Sequence, residues 1–237
     1  MSDGTEAAAE LLSCVEREPE GAVTSAVIWL HGLGADGHDF PPVIPQLGLP
    51  RGHGVRFVFP HAPRIAVSLN AGLIMPAWYD IRSLDVRGQD EEGIRRSAGR
   101  LEALIAREIE RGVPARRIVL AGFSQGGAVA LFTGLTHAET LAGILALSTY
   151  LVLPEAIEAE ATDANRATPI FQAHGLYDPM VPHDAGARTR DWLTDHGHPV
   201  EWHEYPMAHQ VAIEEIRAIG AWLTRVLDLD HEAAALD

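Results

Sequence analysis

The chain has 237 residues, 47% hydrophobic and 22% charged, a balance that excludes intrinsic disorder, collagen and coiled coil and predicts one globular domain across residues 1–237. Eighteen cations, every one an arginine, stand against 33 acids, and a net charge of −15 disfavours phosphate backbones and anionic lipid, so neither nucleic acid nor stable membrane association is expected. The absence of lysine excludes a P-loop lysine, a lysine Schiff base and a Ser-Lys dyad, and Cys14, the only cysteine, excludes an intrachain disulfide.

The opening MSDGTEAAAELL carries three acids and no cation, the reverse of a secretory leader, and no apolar run approaches the ~18 residues that span a bilayer. A cytoplasmic protein is expected. Apolar, β-branched runs at 23–30, 55–59, 117–121, 142–148, 169–174 and 200–205 predict strands. Helical spacing predicts helices at 88–111, 125–136, 184–196 and 212–228, with a weaker one at 154–163. In the first, Leu101, Leu104, Ile105 and Ile109 share a face, and Gly112-Val113-Pro114 stops it. Strands alternating with helices imply parallel strands and crossover connections. Runs such as IVLAG, apolar throughout, imply a doubly wound sheet covered on both faces, with a core over roughly 10–228. Residues 60–80 contain three prolines and no clean period, which predicts a long functional loop, and 229–237 is expected to be a frayed tail.

Residues 120–127 read LAGFSQGG, a G-x-S-x-G between an apolar strand and a helix-like run, the setting of a nucleophile elbow. Ser124 is therefore the candidate nucleophile. A serine hydroxyl needs a base held in one tautomer by a carboxylate, and in open α/β sheets such residues gather beyond the carboxyl ends of strands. Beyond 169–174 lies Asp178, and beyond 200–205 lies His209, completing the order Ser, Asp, His. The loop HGLGADGHDF after the first strong strand suits an oxyanion hole, with donors expected from the backbone N–H groups of Leu33 and Gln125. His31 is read as structural. Leu73, Ile74, Met75 and Trp78 make the 60–80 segment apolar and suggest a modest acyl-binding wall, flanked by Arg64 and Arg82, both read as solvated.

Two other chemistries fit less well. There are twelve histidines, among them His196, His198 and His203, but no H-E-x-x-H, so no metal is expected. Gly32, Gly34 and Gly37 satisfy G-x-G-x-x-G after a strand, but the prolines of HDFPPVIP forbid the helix that a dinucleotide requires, so no cofactor is expected.

Together WLHGLGADGHDF, AGFSQGG, HGLYDPMVP and PMAHQ resemble the phospholipase/carboxylesterase family of α/β-hydrolases, which includes the acyl-protein thioesterases and bacterial carboxylesterases, over roughly residues 10–228. The resemblance implies a single-domain α/β-hydrolase fold, Ser124, Asp178 and His209 as catalytic triad, Leu33 and Gln125 as oxyanion donors, and SLNAGLIMPAWYDI as the wall of the acyl channel. Thr149 and Ala208 depart from the residues common at their positions, and both departures bear on pocket shape. The first reading is a serine carboxylesterase that hydrolyses short- to medium-chain esters through an acyl-enzyme. The alternative is an acyl-protein thioesterase or lysophospholipase, and a remote third is a non-catalytic binding protein on the same fold. The expected partner is a small-molecule ester, acted on by a monomer or homodimer.

Overall fold

Six apolar runs in the chain become six parallel strands, because a sheet covered on both faces needs apolar side chains in both alternating directions. In the computed structural model, which describes residues 11–81 and 89–230, they are β2 (Ser25–Leu30), β3 (Val55–Pro60), β6 (Ile118–Phe123), β7 (Gly143–Leu147), β8 (Ile170–Gly175) and β9 (Val200–Tyr205). A seventh strand, β1 (Cys14–Arg17), runs antiparallel to β3 at the edge, giving the order β1-β3-β2-β6-β7-β8-β9. The sequence reading missed β1. It is four residues long and no side chain in it is fully buried, so it carries almost no pattern.

Alternate residues of β2 show the two-faced burial directly. Ala26, Ile28 and Leu30 join one apolar cluster with Leu101, Leu104 and Ile105 of α1 (Glu91–Glu110) and much of α2 (Gln125–Thr136). Val27 and Trp29 join another on the opposite face with Ile216, Ile219, Trp222 and Leu223 of α5 (Ile213–Val226). Two further helices, α3 (Pro154–Glu160) and α4 (His183–Asp195), complete the covering. All five predicted helices are present. Asp90 caps α1 by accepting the Gly93 N–H at 3.1 Å, so the helix begins three residues later than the spacing suggested. Gly88, Arg82, residues 1–10 and residues 231–237 lie outside the described residues.

Two expectations need correction. The 60–80 segment is not irregular: β4 (Arg64–Val67) and β5 (Leu73–Pro76) form an antiparallel two-stranded ribbon, Arg64 opposite Pro76 and Val67 opposite Leu73. Its turn carries positive φ at Ala71 and Gly72, and its strands are only four residues long, so neither length nor glycine content announced a hairpin. The run after HGLGADGHDF forms a 3-10 turn, Pro41–Gln46, as its prolines require. Leu229 is not frayed. It is fully buried in the cluster on the α5 face, so packed structure extends into the segment read as a tail.

The chain builds β2 and β3 toward one edge, then returns to place β6, β7, β8 and β9 on the other side of β2. The strand order therefore reverses between β2 and β6, and the crevice beyond their carboxyl ends is where such sheets place ligands. Leu30 of β2 lies opposite Gly122 of β6 at that point, which puts the glycine-rich loop beside the serine turn.

Candidate active site

Ser124 connects β6 to α2 with φ 53° and ψ −120°, a conformation that side-chain-bearing residues rarely adopt. The glycines on either side make it possible. A Cβ on Gly122 would lie 2.3 Å from the Gly126 carbonyl carbon, and one on Gly126 would lie 2.6 Å from the carbonyl oxygens of Leu30 and His31. The turn is held by the Ser124 N–H donating to Leu147 O at 2.8 Å and by the Thr149 hydroxyl donating to Ser124 O at 2.6 Å. Thr149, one of the two departures in sequence, thus braces the serine's backbone.

His209 follows β9, and its Nδ1–H donates to Asp178 Oδ2 at 2.6 Å. The Asp178 side chain has no solvent exposure, and its Oδ1 accepts the N–H groups of Met180 at 2.8 Å and Val181 at 2.9 Å. Three donors fix the carboxylate, and the carboxylate fixes the ring with Nε2 unprotonated in the neutral imidazole. Beneath them lies His174, fully buried, whose Nε2–H donates to Val181 O at 2.9 Å. Burial lowers the His174 pKa, which favours the neutral ring beneath the loop.

Ser124, His209, Leu33, Gln125 and Met75 line one cavity of about 510 Å³, in the size range of small-molecule sites, with Leu69, Ile81, Phe123, Met180 and Val181 adding apolar wall. The Phe123 ring lies 4.7 Å from that of His209. Among the described residues, the backbone N–H of neither Leu33 nor Gln125 has a backbone acceptor. Gln125 occupies the first position of α2, where a helix leaves its N–H groups unpaired.

The proposed acyl wall divides. Met75 reaches the cavity, but Leu73 and Ile74, 63% and 64% exposed on β5, do not line it. Trp78, 2% exposed, is outside the lining as well: its indole Nε1–H donates to His31 O at 2.8 Å, and its main-chain N–H donates to Gln125 Oε1 at 2.9 Å. It is held by the His31 carbonyl and the Gln125 side chain beside the site. His31 is fixed too, with Nδ1–H donating to Gly32 O at 2.8 Å and Nε2 accepting the Ala62 N–H at 3.1 Å. Arg64 donates to Ile74 O at 3.1 Å within the ribbon.

Among the described residues, one group of side chains, Asp36, His38 and His61, brings ligand atoms near enough together to surround a metal ion. The arrangement fits a metal poorly. His61 Nδ1 already accepts the Gly37 N–H at 3.2 Å, which places the ring proton on Nε2 and leaves no nitrogen lone pair free, and His38 Nδ1 is tied to Asp36 Oδ1 at 3.0 Å. His203 and His196 bond to separate glutamates, Glu201 and Glu158.

The fold and this geometry agree with what the chain is similar to. A family model described as phospholipase/carboxylesterase matches residues 14–227. An acyl-protein thioesterase 1 from Neurospora crassa is 44% identical over 214 residues, covering 86% of this chain and 87% of the relative. One from Yarrowia lipolytica is 43% identical over 210 residues, covering 86% and 92%. The crystal structure of Zea mays acyl-protein thioesterase 2 superposes with a TM-score of 0.78 at 27% identity, covering 91% of this chain and 99% of that one.

Proposed function

The chain belongs to the phospholipase/carboxylesterase family of α/β-hydrolases and is a serine hydrolase of ester or thioester bonds, and from that premise we propose that Ser124, His209 and Asp178 hydrolyse long-chain acyl thioesters carried on proteins. The observation that carries the assignment of residues is the 2.6 Å bond between His209 Nδ1 and Asp178 Oδ2 at the cavity whose wall includes the strained Ser124. His209 Nε2 takes the proton of the Ser124 hydroxyl as Oγ attacks the acyl carbon. The resulting oxyanion is received by the N–H groups of Leu33 and Gln125. The thiolate leaves with the proton from His209, and water repeats the sequence to release the fatty acid.

A triad cleaves ester and thioester by the same route, so the choice of substrate rests elsewhere. From sequence, the first reading is a short- to medium-chain ester. The relatives at 43–44% identity carry the name acyl-protein thioesterase and favour the second reading instead. The cavity of about 510 Å³ has the apolar lining that an acyl chain needs. Met75, Leu69 and Met180 offer the apolar contact. No helix among the described residues is long and apolar enough to cross a membrane.

A panel of acyl esters and acyl-cysteine peptides from C2 to C16, with Ser124→Ala as control, tests this reading. The expected result is kcat/KM rising with chain length and highest for long-chain thioesters. A maximum at C2–C4 esters would restore the carboxylesterase reading, and full activity in Ser124→Ala would remove the nucleophile assignment.

A further inference from the structure

The two N–H groups assigned as oxyanion donors come from distant parts of the chain, Leu33 in the loop after β2 and Gln125 at the start of α2, yet both must meet one oxygen. Such a hole lowers the barrier because its dipoles are already aimed when charge develops, so something must fix that aim. We propose that Trp78 and His31 are positioning residues, a buried brace that sets the direction and spacing of the two donors. The inference rests on the reading of Ser124 as nucleophile given above.

The Leu33 N–H and the Gly32 carbonyl are opposite ends of one planar peptide group, so whatever holds the carbonyl aims the N–H. His31 Nδ1–H holds it at 2.8 Å. That donation also polarises the peptide and strengthens its N–H as a donor. The other ring nitrogen accepts the Ala62 N–H at 3.1 Å, so His31 is neutral with its proton on Nδ1, a state that burial favours.

Trp78 joins this unit to the second donor. Its indole N–H donates to the His31 carbonyl, its ring centroid lies 5.2 Å from that of His31, and its main-chain N–H donates to the side-chain oxygen of Gln125. Gln125 Nε2 returns a bond to Tyr79 O at 2.7 Å. One residue is therefore hydrogen-bonded to both donor-bearing segments. The Ser97 hydroxyl on α1 donates to Trp78 O and anchors it to the core. These are buried groups with few alternative partners, so loss of the indole N–H leaves the His31 carbonyl unpaired beside the hole.

Trp78→Phe removes the indole N–H and keeps an aromatic ring, His31→Leu removes both ring bonds, and His31→Asn restores an N–H near the place of Nδ1. The expected result is that Trp78→Phe and His31→Leu lower kcat by roughly 10- to 100-fold, with KM changed less than about threefold. A long-chain trifluoromethyl ketone, whose adduct oxygen occupies the hole, should lose affinity by the same factor, and His31→Asn should recover most of kcat. Lower Tm with kcat and ketone affinity unchanged would overturn the proposal. Should a variant not fold, 15N spectra of histidine-labelled unsubstituted protein decide it: His31 protonated on Nδ1 is expected, and a proton on Nε2 overturns it. A fluorophosphonate mapping to a residue other than Ser124 would instead defeat the underlying reading, whereas failure of the brace leaves Ser124 labelled.

Discussion

Asp178 Oδ2 accepts the Nδ1–H of His209 at 2.6 Å from a carboxylate with no solvent exposure, while Asp178 Oδ1 is committed to two backbone N–H groups. The bond is directional: its removal changes which nitrogen of His209 bears the proton more than it changes shape. Asp178→Asn is therefore expected to present an amide N–H to His209 Nδ1, force the ring proton onto Nε2 and lower kcat by about 10⁴ with KM little altered. Steady-state kinetics on a long-chain thioester measures this, and a loss smaller than about tenfold would separate Asp178 from the chemistry.

Ser124 sits at φ 53°, a strained conformation for a residue with a side chain, and the proposed nucleophilic role gives that strain a reason. Ser124→Ala removes the attacking oxygen but keeps a Cβ at φ 53°, whereas Ser124→Gly relieves the conformation. Both variants should be inactive, with Ser124→Gly melting higher by the equivalent of about 1 kcal/mol. Equal melting temperatures would show that the turn stores no strain.

Gly126 sits where a Cβ would meet two carbonyl oxygens at 2.6 Å. Backbone cannot yield as a side chain tip does, so Gly126→Ala should displace the elbow, abolish activity and cost several kcal/mol, roughly the scale of severe core substitutions. Thermal unfolding together with fluorophosphonate labelling checks both consequences.

The outcomes for Met75 and Trp78 should part company. Met75 lines the cavity, so Met75→Ala should reduce kcat/KM more for C16 than for C2 substrates, by about tenfold if two methylene contacts of ~0.8 kcal/mol each are lost. Trp78 does not line that cavity, so its truncation should reduce activity by one factor at every chain length. The reverse pattern would place the acyl chain elsewhere.

These two side chains also mark how far the sequence could be read. The β6–Ser124–α2 unit was legible because an apolar strand, two obligatory glycines and an apolar helix announce it in one unbroken stretch, residues 118–136, and Asp178 and His209 were legible because strand ends locate loops. The brace was not. Trp78 and His31 stand 47 residues apart and meet through a main-chain carbonyl, a contact that leaves no periodicity and no requirement visible in composition. An apolar residue in an apolar segment looks the same whether it faces substrate or core, which is why Trp78 was grouped with Met75. The four-residue strands β1, β4 and β5 escaped for a related reason, since two alternations cannot be told from chance.

Glu215 adds a pH dependence of stability. Its side chain is fully buried at the start of α5, one oxygen accepting the Ala212 N–H just beyond His209, and burial pushes its pKa up to about 8. The folded protein holds this carboxyl protonated while the unfolded chain ionises it near 4.5. The contribution of Glu215 to stability is therefore fully present below the unfolded value and is lost as pH rises toward about 8, at about 1.4 kcal/mol per pH unit. Glu215→Gln should flatten that fall, giving a higher Tm than the parent at pH 8 and a similar one at pH 4.5. Calorimetry across that range checks it, and parallel curves for the two proteins would contradict it.

The central claim, that Ser124 is the nucleophile of a long-chain acyl thioesterase, is tested most directly by tandem mass spectrometry of fluorophosphonate-labelled protein, with and without a competing palmitoyl-cysteine peptide. The account predicts one phosphonyl adduct, on Ser124, formed more slowly when the palmitoylated peptide is present. An adduct on another residue, or labelling of Ser124 at a rate that the palmitoylated peptide does not alter, would contradict it.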